Sequence, residues 1–463
     1  MCCKIGMHNT NTTIEDTVGL IGKLDEVLCK AAKVEGKSRR GRKARVSLGT
    51  LLFSTIWQKI CRRGAMPEHV KRISAESLEG STVSRRLSGV SKKQLEAVSD
   101  CLLGPIGDRR SNPGGYYRDY RTVGVDGTCF TLINSEAIVK KVPKSKSRRS
   151  SEQEAEESAF PQIRASSLVE LGPHNPLALS VGLEGESEME LSVGLLKKLS
   201  KTDMLLGDRL YGVGWFLHQI VEHGNCGAIL LKVPNSQTVR AIEELEDGSW
   251  IVEVDVRSRR RPADIIATHR VREIRYEIAS TDAQGQTRID TYRLWTDLMD
   301  CRIDPAKVLI DLYQQRWEHE GYYRELKLEL KKQKHLNAQL PETVLIEIFS
   351  MVWASALIAK ERLRLASIND SQDTTSRRVR FDVVLENMRV LWPLQRQVGI
   401  HLSQEQFEAI ARSLSEEASL YYTPQKRRRS CPRKVRQNQK HWPKIRERTE
   451  SNQPVRITLL THK

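Results

Sequence analysis

Cysteine is sparse, at 9 in 463 residues, and no CxxC pair repeats along the chain. That density is too low for a disulfide framework and offers no zinc-ligand pattern, so free thiols in a reducing compartment are expected. Long apolar runs are also missing. The most apolar stretch, Ile346 to Ala359, has 14 residues and contains Glu347, whereas a membrane span needs ~20 residues with few charges. No membrane partner is expected. The opening residues, MCCKIGMHNT, hold no apolar signal region. Cys2 and Cys3 lack the basic cluster that accompanies lipid attachment. Acid is in deficit: 58 Asp and Glu face 75 Lys and Arg, for a net charge of +17. What is present is enough apolar residue, 39%, to build cores, which excludes low-complexity disorder for most of the chain. The length suits roughly three domains of ~150 residues.

The excess charge is clustered. Lys37 to Arg45 holds six basic residues in nine, Lys140 to Arg149 six in ten, and Arg257 to Arg261 four in five. Pro424 to Arg448 holds eleven basic residues and one acid, and reads as an extended arm. Its Arg427, Arg428 and Arg429 are candidates for DNA contact; a merely solubilising tail is the alternative. A basic chain of this kind points to a polyanion, most simply nucleic acid.

The segment from Thr10 to Leu103 reads as helical, with an apolar run at helical spacing over Val46 to Ile60. Ser81 to Leu103 reads as two short helices broken at Gly89, each entered by a capping Ser. The pair has the look of a helix-turn-helix, with Arg85 and Arg86 available to DNA. From Thr122 the pattern turns to strands: Thr122 to Val125, Ile163 to Leu171, Leu177 to Leu183, Met204 to Gly207 and Ala228 to Val233. Helices are expected over Ser187 to Leu199 and Gly214 to His223. Three strands followed by alternating helices and strands indicate an α/β sheet domain. Thr238 to Leu298 is β-rich, with alternation in SWIVEVDVR and TYRLWTDL. Long helical segments follow over Pro305 to Leu336 and Glu342 to Leu365. Pro143 to Ser158, basic and then acidic, reads as a flexible loop.

Three carboxylates stand out by position. Asp126 ends the first strand in VGVDGT, and Asp208 ends the fourth in MLLGDRLYG. Aspartate is also a common turn former at strand ends, so neither is decisive alone. Glu320 lies in a long helix with Tyr313, Arg316 and Lys327. At about 100° per residue these four fall within roughly 60° of one another, a stripe of phenol, guanidinium, carboxylate and ammonium. A solvated charged face is the plain alternative. Glu318 and Glu325 lie off the stripe. Converging carboxylates suit Mg²⁺, which prefers oxygen ligands, and a two-ion site can drive an in-line phosphoryl displacement.

At these residues the chain resembles the DDE transposases of bacterial insertion sequences, in the branch named for insertion sequence four. The resemblance rests on Asp126 in VGVDGT, Asp208 in GDRLYG, and the Y-x2-R-x3-E-x6-K spelled by Tyr313, Arg316, Glu320 and Lys327, with Trp317 after Arg316. AFPQIRASSLVELGPH and ESEMELSVGLL are similar to the family's second and third strand region and its following helix. The similarity runs from about Arg118 to Leu365.

The resemblance implies an α/β, RNase H-like catalytic core with a β-rich insertion, a helical N-terminal domain and a basic C-terminal arm. The expected divisions are 1–117, 118–236, 237–300, 301–368 and 369–463. It implies cut-and-paste transposition in four steps: nicking, hairpin formation, hairpin opening and strand transfer. Asp126, Asp208 and Glu320 would be catalytic and bind two Mg²⁺, with Mn²⁺ able to substitute. Tyr313, Arg316, Lys327 and Arg209 would hold phosphates. An aromatic in the insertion would stack on a flipped base; register favours Tyr292, with Trp295 as its rival. Implied partners are double-stranded DNA bearing terminal inverted repeats, target DNA and a second copy of the chain, in a bacterial cytoplasm at the nucleoid. A non-catalytic DNA-binding inhibitor and a metal nuclease without strand transfer are the alternatives.

Overall fold

The computed structural model describes residues 17–35, 44–61, 63–144, 146–147, 156–183, 185–223, 225–258, 261, 264–281, 286–331, 333–368, 378–423 and 456–459. The basic run at 37–45 is thus described only at Ala44 and Arg45. The tail with Arg427, Arg428 and Arg429 lies outside the described residues, as do Cys2, Cys3 and Cys431. The chain divides into two compact units, Met1–Lys198 with Trp317–Thr423, and Leu199–Arg316 with Pro424–Lys463.

The first unit opens with five helices: α1 (Thr17–Val34), α2 (Leu48–Cys61), α3 (Met66–Ser74), α4 (Gly80–Ser88) and α5 (Lys92–Leu102). α5 starts on a capping box, in which Ser91 Oγ accepts the Gln94 N–H and the Gln94 side chain accepts the Ser91 N–H. α4 departs from expectation: its N-cap is Glu79, with no side-chain bond, and Ser81 already lies inside the first turn. Arg86 is likewise not free for DNA, because its half-buried guanidinium donates to the Val46 carbonyl at 2.7 Å, while Arg85 is exposed.

Strands β1 (Tyr116–Tyr117) and β2 (Tyr120–Thr131) come next, then α6 (Glu136–Lys141), β3 (Lys146–Ser147), β4 (Glu156–Glu157), β5 (Gln162–Glu170), β6 (Asn175–Gly182) and α7 (Glu188–Val193). β6, β5 and β2 lie side by side and antiparallel. β2 extends beyond the predicted Thr122–Val125, so Asp126 sits in mid-strand rather than at a strand end. Its partner across the sheet is Ser167. The segment read as a loop at 143–158 carries a two-residue ribbon, with Lys146 opposite Glu157.

The second unit holds β7 (Asp203–Gly207), α8 (Gly214–His223), β8 (Ala228–Val233), β9 (Arg240–Glu244), β10 (Trp250–Arg257), β11 (Ile265–Thr281), β12 (Thr287–Thr296) and α9 (Ala306–Tyr313). β7 and β8 run parallel with α8 as their crossover. β7 is buried along its whole length, as parallel strands usually are. β12 pairs antiparallel with β8, and β11, β10 and β9 continue as a meander. In β10 the alternation in the sequence is realised: Val252, Val254 and Val256 are buried, with Asp255 and Arg257 exposed.

The first unit closes with α10 (Trp317–Glu325), α11 (Pro341–Ile368), α12 (Phe381–Gln395) and α13 (Gln404–Ser419), and β13 (Arg456–Leu459) pairs with β11 in the second. α11 is long and apolar enough to cross a membrane, but 83% of its most apolar window is buried inside the protein. It packs against α2, α4, α5, α12, α13 and β6, and Ser350 lies 2.5 Å from Thr55 of α2. The predicted helix over Pro305–Leu336 is not regular. A 3₁₀ turn occupies Gln314–Arg316 and a π-helical stretch Leu326–Lys331. The angle of 100° per residue therefore fails across the motif, and no single α-helical face carries all four residues.

Candidate active site

In the first unit, α10 is bolted to β2 at Asp126. Tyr323 donates its hydroxyl to the Asp126 carbonyl at 2.7 Å, and Ser166 donates to the same carbonyl at 3.3 Å. Ser167 Oγ lies 2.9 Å from Tyr323 Oη and 3.1 Å from His319 Nε2. With the tyrosine proton committed to Asp126, Ser167 donates to Tyr323 and accepts from His319 Nε2–H. Burial holds the Tyr323 phenol well above its ordinary pKa, so the proton stays. Glu320 follows His319 by one residue and is exposed. Asp126 and Glu320 thus belong to neighbouring, mutually fixed elements.

Lys327 joins Asp126 from the π-helical stretch. It is half-buried, and burial pushes its ammonium down while Cys129 and Asp126 pull it back up. The ammonium also lies 5.6 Å from the centroid of the Phe130 ring. A further acid, Glu188 of α7, lies so close to Gly127 that a Cβ there would stand 2.1 Å from its Cδ. Glu188 was not singled out by sequence reasoning; it sits one residue inside a helix whose capping box uses Ser187 and Glu190 instead. His319 and Tyr323 were also missed, because only the fold aims them at β5 and β2.

Glu318 and Glu325, the two acids off the stripe, are engaged elsewhere. His174, at a left-handed φ of 57° between β5 and β6, bonds Glu318 Oε2 at 2.9 Å through Nε2 and Glu325 Oε2 at 2.8 Å through Nδ1. Arg362 pairs with Glu325 and Arg378 with Glu318.

The second unit holds Asp208, Tyr313, Arg316 and Arg209. Asp208 directly follows β7, and its Oδ1 accepts the Leu210 N–H at 2.8 Å, the turn-forming role expected of such a residue. Tyr313 is buried and donates its hydroxyl to the Gly207 carbonyl at 3.2 Å. Burial raises its pKa, the Arg316 guanidinium opposes this, and the Asp208 carboxylate adds to it. Arg316 is buried and Arg209 exposed.

The two rival aromatics differ sharply. Trp295 is fully buried, and its Nε1 donates to Glu273 Oε2 at 2.9 Å, a carboxylate that also pairs with Arg293. Tyr292 is only half-buried. It stacks on Tyr276 with centroids 5.3 Å apart, and Lys232 Nζ sits 4.2 Å from its ring centroid.

The donor chemistry of Asp126, Asp208 and Glu320 is all carboxylate oxygen, which suits a hard divalent ion. Among the described residues, no group of three or more His, Cys, Asp or Glu side chains has the spacing of a metal site.

The chain matches no protein-family model. Over 306 residues it is 22% identical to "Transposase InsG for insertion sequence element IS4" of Escherichia coli (strain K12), covering 63% of each chain. The chain therefore spans less than two thirds of that relative's length. A solved piggyBac transposase synaptic complex with hairpin DNA aligns with 86% of this chain and 83% of its own, at 8% identity and a TM-score of 0.40.

Proposed function

We propose that this protein is a DNA transposase that moves an insertion sequence by cutting and rejoining DNA. The supporting observation is that β2 and α10, which carry Asp126 and Glu320, are locked together at Asp126 itself, with Lys327 beside it. The similarity to the Escherichia coli relative supports the same reading. In this proposal the fold is RNase H-like, and the strands from β9 to β12 form the insertion.

Asp126, Asp208 and Glu320 are the residues that would hold the metal. Two Mg²⁺ ions, when bound, supply activation of a water or 3′-hydroxyl and stabilisation of the leaving oxygen. The chain's own groups do the rest. Lys327 holds a DNA phosphate near Asp126, and a half-buried ammonium binds such an anion more strongly than an exposed one. Arg316 and Arg209 take phosphates on the side of Asp208, and Tyr313, whose hydroxyl is given to the Gly207 carbonyl, supports the turn that carries Asp208. Tyr292 offers its ring to an unstacked base, with Lys232 adding positive charge at the same place; one base–aromatic stack is worth ~1–3 kcal/mol. Hairpin formation, hairpin opening and a dimeric synaptic complex belong to this proposal.

The test is cleavage of DNA carrying the element's terminal inverted repeats, with Mg²⁺. Asp126→Ala, Asp208→Ala and Glu320→Ala should each abolish nicking while leaving DNA binding intact. Undiminished cutting by all three would refute the proposal. Nicking without joining would point to a nuclease, and binding without nicking by the unaltered protein to an inhibitor of transposition.

A further inference from the structure

A basic site lies in the helical part of the first unit, lined by none of the residues of the candidate active site. A cavity of about 380 Å³ is lined by Cys61, Arg63, Gly64, Glu68, Arg72 and Arg389, at the small end of the ~300–1,000 Å³ typical of ligand pockets. Three arginines line it from three places: Arg63 in the loop after α2, Arg72 of α3 and Arg389 of α12. Arg389 is fixed in advance, since its Nε donates to the Ile60 carbonyl at 2.7 Å and its Nη1 to Glu386 at 2.7 Å. Its remaining nitrogen, Nη2, is buried and has no hydrogen-bond partner among the described residues. A buried, unsatisfied charged donor is costly unless something completes it. Glu68 is the single acid among the described residues of the lining, so the cavity keeps an excess of positive charge.

The loop is shaped to hold this arrangement. Gly64 has φ of 97°, in the left-handed region, and a Cβ there would come within 2.8 Å of Glu68 Oε2. Beneath it His69 is fully buried, and burial lowers its pKa, so it stays neutral and adds no charge of its own. The Cys61 thiol is pushed up to about 11 by burial, despite Arg72 and Arg389 nearby, so it is no nucleophile.

We propose that this cavity is a phosphate-binding site, used by a phosphodiester of bound nucleic acid or by a free phosphate. Arginine forks pair with phosphate or carboxylate oxygens alike. Arginines on three elements around one cavity suit a tetrahedral anion, which offers oxygens in several directions; a planar carboxylate is satisfied by one fork. The chain's net charge of +17 favours a phosphate polyanion as the source. The inference does not require the transposase reading, because neither measurement below involves cleavage.

The experiment uses the full chain and two probes, inorganic phosphate and a duplex of arbitrary sequence. Arg72→Gln and Arg389→Gln are compared with Glu68→Gln. If the site takes phosphate, titration calorimetry shows at least tenfold weaker phosphate binding in both arginine variants and tighter binding in Glu68→Gln. If its phosphate comes from nucleic acid, the slope of log affinity for duplex against log salt falls by about 1 in each arginine variant. Either result supports the site and tells the two sources apart. Arg72 is exposed, so Arg72→Gln keeps the test meaningful if Arg389→Gln loosens α12. Unchanged phosphate affinity together with an unchanged salt slope in Arg72→Gln would overturn the proposal.

Discussion

Replacing His174 by Asn is the sharpest test of how α10 is held. Both ring nitrogens of His174 lie within 2.9 Å of carboxylate oxygens, Nε2 of Glu318 and Nδ1 of Glu325. His174 is buried, and it ties two points on α10 to the β5–β6 turn. Asparagine tolerates the left-handed backbone at this position, so the substitution removes the ion pairs without adding strain. Breaking a buried pair by removing one partner costs ~3–5 kcal/mol. Here each carboxylate keeps an arginine, Arg378 on Glu318 and Arg362 on Glu325, so the lower figure applies and a loss of about 3 kcal/mol is expected. Urea unfolding reads it as a lower midpoint at unchanged slope. The pH dependence adds a second reading. Glu325 is held well below the ordinary carboxylate range; burial opposes this, and His174 and Arg362 outweigh it. A depressed folded-state pKa means that its stabilisation is present above the unfolded value, ~4.3, and is lost as the pH falls below it. The Asn variant should show a shallower acid loss than the unaltered protein. A stability change under about 1 kcal/mol, with identical acid profiles, would refute the assignment of His174 as the tie between α10 and the β5–β6 turn.

Other outcomes follow from the same geometry. Trp295→Ala should destabilise the second unit by about 3–5 kcal/mol, the usual cost of emptying a buried Trp site, measured by thermal or urea unfolding. Tyr292→Ala should leave stability within about 1 kcal/mol and act only on DNA processing, as loss of hairpin formation with nicking retained. Gly124→Ala should cost about 1–3 kcal/mol, because the new methyl would stand 2.7 Å from His319 Nδ1 and 2.8 Å from Leu171 Cδ2; an unaffected melting temperature would show that α10 is not wedged against β2 there. Lys327→Met should weaken DNA binding while raising or preserving stability, since a half-buried ammonium is exchanged for an apolar chain of similar length.

Much of the fold was readable from local pattern. The five short apolar runs lie on β2, β5, β6, β7 and β8, because Val, Ile and Leu runs of that length have few other ways to be buried. The helix pair broken at Gly89 appears as α4 and α5, and the alternation in WIVEVDVR as the two faces of β10. Errors arose where a local rule met tertiary constraint. Ser81 does not cap α4, although Ser91 caps α5 as expected. Regular helix geometry was assumed across Tyr313 to Lys327, but a 3₁₀ turn and a π-helical stretch interrupt it. Periodicity cannot foresee such breaks. Asp126 reads as the last residue of a strand, where aspartate is a common turn former, yet pairing with β5 carries β2 on to Thr131.

By itself the sequence determined which residue types were available: a basic chain, a few well-placed carboxylates, and aromatics at known intervals. These are properties of composition and short-range order, which any conformation preserves. Only the tertiary structure decided what each group does. It buried Trp295 against Glu273 and left Tyr292 half-exposed, engaged Glu318 and Glu325 in ion pairs, and set Tyr323 and His319 around Asp126. It also gathered Arg63, Arg72 and Arg389 around one cavity. The last of these is 326 residues from the first, and only the packing of α12 beside α2 and α3 brings them together.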